Sequence, residues 1–190
     1  MTRALAIAAL AAGCVALPYT GGARPADAVL DASWLRAAPT PAIRQAHESD
    51  CGLAALAMIA GAWGQAWPLD QLERELPPGP HGTRLAALRD LARRRGLDAH
   101  AIRATAADLR HELAAGRPVV LGLVLPHERE TRLAHYEVAI AMSTRDGSVI
   151  TIDPATGRRL RRSPSTLDAE WQPAGYPALV VTAGTRDARN

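Results

Sequence analysis

The stretch QAHESDCGLAALAMI, from Gln45 to Ile59, changes character at Cys51. Before the cysteine the residues are polar and favour turns. After it, apolar residues recur every three and four positions, which predicts a helix from Cys51 to about Ala62. A thiol in the first turn of a helix lies beside backbone N–H groups without helical partners and at the positive end of the helix dipole. Both stabilise a thiolate and lower a cysteine pKa from ~8.5 to about 3.5–7.5. Cys51 is therefore placed to act as a nucleophile.

A cysteine nucleophile also needs a base and a group that orients the base. The strand-like segment HYEVAIAM begins at His135, and the next one, SVITID, ends at Asp153. A turn at RDG joins the two segments, so the start of the first and the end of the second lie close together in an antiparallel pair. This predicts that His135 is the general base and acid and that Asp153 accepts a hydrogen bond from its ring.

The order of helical and extended segments indicates the fold class. Four segments with helical spacing come first, and the extended segments follow, with one more short helix before the last strand. The helices are predicted at 51–62, 68–76, 83–95, 105–115 and 163–171, and the strands at 117–125, 135–142, 148–153 and 176–183. This order indicates an α+β fold, in which the helix that carries Cys51 packs on an antiparallel sheet.

The N-terminal sequence predicts export. MTRALAIAALAAGC has one early positive charge, an apolar stretch and then small residues before Cys14, which is the pattern of an export signal. LAAGC resembles the lipobox of bacterial lipoproteins, so residues 1–14 are interpreted as a lipoprotein signal with a lipidated Cys14. The protein is then expected to be periplasmic or anchored in the outer membrane. Cleavage near Ala28 is the alternative, and it would give a secreted or periplasmic protein. Residues 15–42 are predicted to be an Ala/Pro/Gly-rich tether, and 43–190 the folded domain.

Composition argues against several other classes of protein. With 190 residues, 48% of them apolar, the chain can bury one core. All 22 basic residues are arginine, and the densest runs, at 93–95 and 158–162, lack interleaved aromatic residues that could stack on bases. No nucleic-acid partner is therefore expected. No metal or cofactor is expected either, because His47, four residues before Cys51, has no further ligands that the sequence supplies.

These motifs together resemble the bacteriocin-processing cysteine peptidases, a papain-like family that trims double-glycine leader peptides beside ABC exporters. The match consists of QAHESDCG, HYEV and IDPATG in that order, over about 43–157. The resemblance implies a papain-like cysteine peptidase fold and a catalytic triad of Cys51, His135 and Asp153. It also implies that Gln45, six residues before the cysteine, lends its side chain to the oxyanion hole.

The predicted function is cleavage of peptide bonds in an exported or secreted polypeptide that binds in an extended conformation. Transporter-fused members of the family face the cytosol, whereas the signal here predicts export, so double-glycine specificity is not carried over. The expected partners are the peptide substrate, an export or surface-assembly machinery and, through the N-terminal lipid, a membrane. Two alternatives stay open: a catalytically silent peptide-binding module, and a transpeptidase or acyltransferase that uses the same triad.

Overall fold

The computed structural model of this chain describes residues 22–26, 30–127 and 131–183. The predicted signal at 1–14 with Cys14, the first part of the predicted tether and the alternative cleavage point at Ala28 lie outside the described residues. In the ranges that are described, no helix is both long and apolar enough to cross a membrane.

One antiparallel sheet and five helices make up the described part of the domain. The helices are α1 (Cys51–Ala62), α2 (Leu69–Glu75), α3 (Leu85–Arg94), α4 (Ala106–Ala114) and α5 (Pro164–Trp171). The strands are β1 (Arg24–Pro25), β2 (Trp34–Arg36), β3 (Asp98–Arg103), β4 (Val119–His127), β5 (Thr131–Ser143), β6 (Val149–Asp153), β7 (Arg158–Arg162) and β8 (Pro177–Thr182). The strand order is β1-β7-β6-β5-β4-β8-β3, and β2 pairs with β5 beside this path. The predicted α+β class with an antiparallel sheet is confirmed.

Helix α1 lies against the sheet and is buried over its first ten residues, 51–60. It is apolar on all sides, a pattern that belongs to a helix with no solvent-facing side. Small residues let it approach the sheet closely. A Cβ atom on Gly52 would come within 3.2 Å of ring carbon Cδ2 of Tyr136 on β5, so only a glycine fits there without displacing the ring. The predicted bounds of this helix and its packing on the sheet are both found.

Apolar clusters cover both faces of the sheet, because alternate residues of each strand point to opposite sides. On β6, Ile150 and Ile152 pack in the cluster that contains α1. Val149 packs in the other cluster, with Leu167 and Trp171 of α5. The odd-numbered residues of β6 therefore face α5. Asp153, the last residue of the strand, lies on that side of the sheet.

The predicted tether at 15–42 needs correction, because part of it belongs to the sheet. Trp34 pairs with Ser143 and Leu35 with Met142, and the N–H of Ala37 donates to the carbonyl of Ile140. Trp34 and Leu35 are partly buried against the two apolar clusters. The Ala/Pro-rich composition gives no sign of this three-residue strand, which pairs with the C-terminal end of β5.

Strands β3 and β7 have no counterpart in the sequence prediction. In β7, the RRLRR run, the residue types do not alternate between polar and apolar. Leu160 and Arg162 nevertheless face inward, and the other three arginines are exposed. Helix α3 also starts later than predicted, at Leu85 and not at residue 83, with Arg84 in the cap position. The hydroxyl of Thr83 is buried without a hydrogen-bond partner among the described residues.

We expect a chain that starts at residue 43 to be less stable than one that starts at residue 30, because it lacks β2 and the bonds that β2 makes with β5. Urea unfolding of the two chains, followed by circular dichroism, should give a lower midpoint for the shorter chain. Equal midpoints would mean that β2 contributes nothing and that 30–42 behaves as a tether.

Candidate active site

Cys51 is the first residue of α1, and its side chain is buried at the join between helix and turn, with 6% of the residue exposed. A 3-10 turn, Glu48–Asp50, leads into the helix. The thiol is free. Cys51 therefore lies in the first helical turn, where backbone N–H groups lack helical partners, as the sequence predicts.

The turn before the cysteine is held by Asp50, although this residue does not cap α1 in the usual way. Its carboxylate Oδ2 accepts a hydrogen bond from the backbone N–H of His47 at 2.8 Å, and Oδ1 accepts a weaker one from the hydroxyl of Ser49 at 3.4 Å. The side chain thus points back into the turn and not toward the helix. This contact fixes the path of the chain into Cys51.

His135 and Asp153 meet on the face of the sheet that α5 covers. The ring Nε2 of His135 donates to Oδ1 of Asp153 at 2.8 Å, and both side chains are buried. Val138 pairs with Ile152, so the two residues are diagonal neighbours on β5 and β6 and not directly opposite each other. Because Nε2 is engaged by Asp153, Nδ1 is the ring nitrogen left for an interaction with the neighbouring Cys51.

This environment favours the charged form of His135. Burial opposes the positive charge, but hydrogen bonds with Asp153 and Cys51 and the negative charge of Glu137 outweigh it and raise the pKa of His135 to about 10. The pKa of Asp153 lies below its ordinary value, since the bond to His135 and its charge outweigh the effect of burial. At neutral pH the site therefore contains an imidazolium, which stabilises a neighbouring cysteine thiolate.

Asp153 is itself held on both oxygens by the turn that follows β6. The N–H of Ala155 donates to Oδ1 at 2.8 Å, and the hydroxyl of Thr156 donates to Oδ2 at 2.7 Å. The carboxylate therefore has a fixed orientation toward the ring of His135. The sequence marks PATG as a turn but gives no sign that Thr156 supports the site.

Gln45 lies on a segment that is tied to the same turn. Its backbone N–H donates to the carbonyl of Pro154 at 2.9 Å. Its side-chain Nε2 donates to the carbonyl of His47 at 2.9 Å and, at 3.4 Å, to that of Glu48. The side-chain oxygen Oε1 is buried without a hydrogen-bond partner among the described residues. The second, longer bond leaves one amide hydrogen weakly engaged.

A cleft with a volume of about 910 Å³ opens beside Cys51. One wall is the 46–49 turn, the other is the Pro-Gly loop at 78–82, and Ala134, next to His135, also lines it. Gly79 and Gly82 form a short bridge that closes the loop. The cleft gives a peptide in an extended conformation access to the sulfur of Cys51.

In the described ranges, two groups of His, Asp and Glu side chains lie close enough together to hold a metal ion. His47 has Asp50 and Glu73 near it, with their ligand atoms within 4.8 Å of one another, so the structure supplies neighbours that the sequence does not reveal. The other group is His135, Glu137 and Asp153, whose atoms are engaged in hydrogen bonds. The arrangement around Cys51 needs no metal for thiol chemistry.

Comparison with known proteins identifies the family of this chain. The family model described as "Peptidase C39 family" matches residues 39–183. A protein of Escherichia coli, named as a probable microcin-H47 secretion/processing ATP-binding protein MchF, is 32% identical over 130 residues. That match covers 68% of this chain but only 16% of the Escherichia coli protein, so the chain spans a small part of that relative's length.

Two solved structures share the fold. The peptidase domain of Streptococcus ComA, a bifunctional ABC transporter of a quorum-sensing pathway, is 22% identical with a TM-score of 0.61, over 74% of this chain and 96% of that one. A double glycine motif protease from an AMS/PCAT transporter, solved with its leader peptide, is 20% identical with a TM-score of 0.61, over 77% of this chain and 93% of that one. The expected papain-like peptidase fold is confirmed by these neighbours.

We expect the imidazole of His135 to remain protonated at pH 8 and to lose its proton only near pH 10. In Asp153→Asn the ring loses its anionic partner while burial still opposes the charge, so the titration should move to much lower pH. Nitrogen-15 NMR of labelled histidine measures the titration of His135 in wild type and in Asp153→Asn without any substrate. Asp146→Asn, which removes an exposed carboxylate from the β5–β6 turn, should leave the curve in place. If the imidazole of wild-type His135 titrated near pH 6.5, the site would not hold it in the protonated form, and this prediction would be wrong.

Proposed function

Since this chain belongs to the peptidase C39 family and is a cysteine peptidase, we propose that Cys51, His135 and Asp153 form its catalytic triad and that it hydrolyses peptide bonds of an exported or secreted polypeptide. The observation that supports this proposal is the buried hydrogen bond between His135 and Asp153, with Cys51 beside the ring at the edge of an open cleft. The three side chains come from α1, β5 and β6, so no single motif brings them together.

The first half of the reaction forms an acyl-enzyme. The thiolate of Cys51 attacks the carbonyl carbon, and negative charge moves onto the carbonyl oxygen. The backbone N–H of Cys51 and the weakly engaged amide hydrogen of Gln45 donate to this oxyanion. The imidazolium of His135 then gives its proton to the leaving amine as the C–N bond breaks, and a thioester on Cys51 remains.

The second half returns the enzyme to its starting state. Neutral His135 takes a proton from a water molecule, and the oxygen attacks the thioester carbon. The C–S bond breaks, the carboxylic acid product leaves, and Cys51 is again a thiolate beside an imidazolium. Asp153 keeps Nε2 of the ring protonated throughout, because its carboxylate accepts from that nitrogen.

Peptides with a double-glycine leader are the first substrates to test. One relative is a probable microcin secretion/processing protein, and one structural neighbour is a double glycine motif protease in complex with its leader peptide. We propose the same class of extended peptide for this chain, bound between the 46–49 turn and the 78–82 loop. The partner that delivers it would be an export or surface-assembly machinery.

We expect Cys51→Ala to abolish hydrolysis and Gln45→Ala to lower kcat about 10²–10³-fold, because one oxyanion donor is lost. Gln71→Ala, on the exposed side of α2, is the matched control and should keep wild-type activity. Mass spectrometry of a leader-peptide library, digested by each variant, makes the measurement. A Gln45→Ala variant that is as active as the control would remove Gln45 from the mechanism.

Further measurements on the same variants distinguish hydrolysis from the other two functions. Acyl transfer to an added amine, in place of hydrolysis, would identify a transpeptidase or acyltransferase. A peptide that binds and stays intact, together with a Cys51 that iodoacetamide alkylates no faster than a free thiol and at the same rate in His135→Ala, would identify a binding module.

We also propose that the chain is exported and lipidated at Cys14, on the basis of the signal-like sequence at 1–14. Full-length protein should then sediment with the membrane fraction and incorporate labelled palmitate, and Cys14→Ser should lose the label. Unlabelled soluble protein that begins near Val29 would instead support cleavage by an ordinary signal peptidase.

A further inference from the structure

A network of buried charges centres on Arg162 of β7, whose side chain is completely inaccessible to solvent. Its Nη1 and Nη2 donate to the two carboxylate oxygens of Glu137 at 2.6 and 2.7 Å, and its Nε donates to Glu170 of α5 at 2.6 Å. The hydroxyl of Thr151 also donates to Glu137 and accepts from Arg162. Three strands and one helix are joined by these contacts.

The network adjoins the proposed triad on the same face of the sheet. Glu137 is two residues after His135 on β5, and Thr151 is two residues before Asp153 on β6, so the side chains of each pair point the same way. The carboxylate of Glu137, the ring of His135 and the carboxylate of Asp153 have ligand atoms within 4.8 Å of one another. Glu137 is thus a second carboxylate beside the imidazole.

The charges in the network do not balance. Two carboxylates, Glu137 and Glu170, share the single guanidinium of Arg162, and all three groups are buried. Buried ion pairs of this kind contribute little net stability compared with apolar side chains of similar volume. Glu137 brings this excess negative charge next to His135, the titratable base of the site.

Among the described residues, the charged groups that face His135 come from three elements. Cys51 approaches from α1, Asp153 from β6 and Glu137 from β5 itself. On the other side, β4 contributes Leu123 opposite His135, which is apolar. Glu137 is bound by Arg162 on both oxygens, so it keeps its position when the ring changes charge.

We propose that Glu137, fixed by Arg162, is a positioning residue that holds His135 in its imidazolium form. The inference rests on the proposed function, since the imidazolium is the acid that protonates the leaving amine. It adds a group to the site that neither the triad motif nor the family comparisons assign.

Glu137→Gln and Glu170→Gln form a matched pair for the test. Each replaces one buried carboxylate bound to Arg162 with a neutral side chain of the same shape, but only Glu137 lies next to His135. Nitrogen-15 NMR of His135 should show the imidazole titrating about one pH unit or more below wild type in Glu137→Gln, because an anion within ~5 Å is lost. Glu170→Gln should titrate as wild type does. Urea midpoints for both variants report any loss of stability separately.

Equal titrations in the two variants and in wild type would overturn the proposal and leave the network a structural role. Equal shifts in both variants would also overturn it, since the effect would then follow the stability of the network and not the position of Glu137. The NMR readout needs no substrate, so it stands even when no peptide is cleaved. With an active enzyme, the basic limb of the kcat/KM profile should move in the same direction as the titration.

Should Glu137→Gln not fold, the combined changes Glu137→Met, Arg162→Met and Glu170→Met replace the whole set of buried charges in the network by apolar side chains, a change that buried ion pairs often tolerate. This triple variant should still titrate below wild type, because the anion nearest to His135 is gone. An unchanged titration in the triple variant would contradict the proposal as clearly as an unchanged Glu137→Gln.

Discussion

Burial of helix α1 is the constraint on which the geometry of the site depends. A helix that is apolar on every side must be covered completely, and the sheet together with α2 and α3 provides that cover. Because Gly52 has no side chain, the start of the helix packs closely against Tyr136 of β5. This packing places the first turn of the helix, with Cys51, beside the first half of β5 and the end of β6. His135 and Asp153 lie there.

The second requirement is that every charge in this buried region has partners. Asp153 accepts hydrogen bonds from the ring of His135, a backbone N–H and the hydroxyl of Thr156, so its lone pairs are occupied. In the same way, the guanidinium of Arg162 donates hydrogen bonds to Glu137 and Glu170. Such groups are costly to bury without partners, and the fold satisfies them with neighbouring strands and turns and not with solvent. The result is a site whose charges are fixed before any substrate arrives.

The sequence predicts the parts of this site that depend on local patterns. Cys51 at a helix start, and His135 and Asp153 on two strands joined by a short turn, follow from spacing alone, and the structure brings them together. The roles of these residues and of Gln45 stay predictions. Strand β7 and the partners of Arg162 could not be read, because an arginine that faces the core and one that faces water look the same in RRLRR. The strand at 34–36 was missed for a related reason: its pairing comes from β5, more than a hundred residues further along the chain.

One contact at the start of the described chain limits where the domain can sit. The backbone N–H of Gly22 donates to the carboxylate of Glu170 at 2.6 Å, so the chain is already attached to α5 at that point. Only residues 15–21 then separate the domain from Cys14, and fully extended they reach at most about 25 Å, against about 100 Å for the whole of 15–42. With the proposed lipid on Cys14, this short connection would keep the attachment point on α5 within about 25 Å of the bilayer surface.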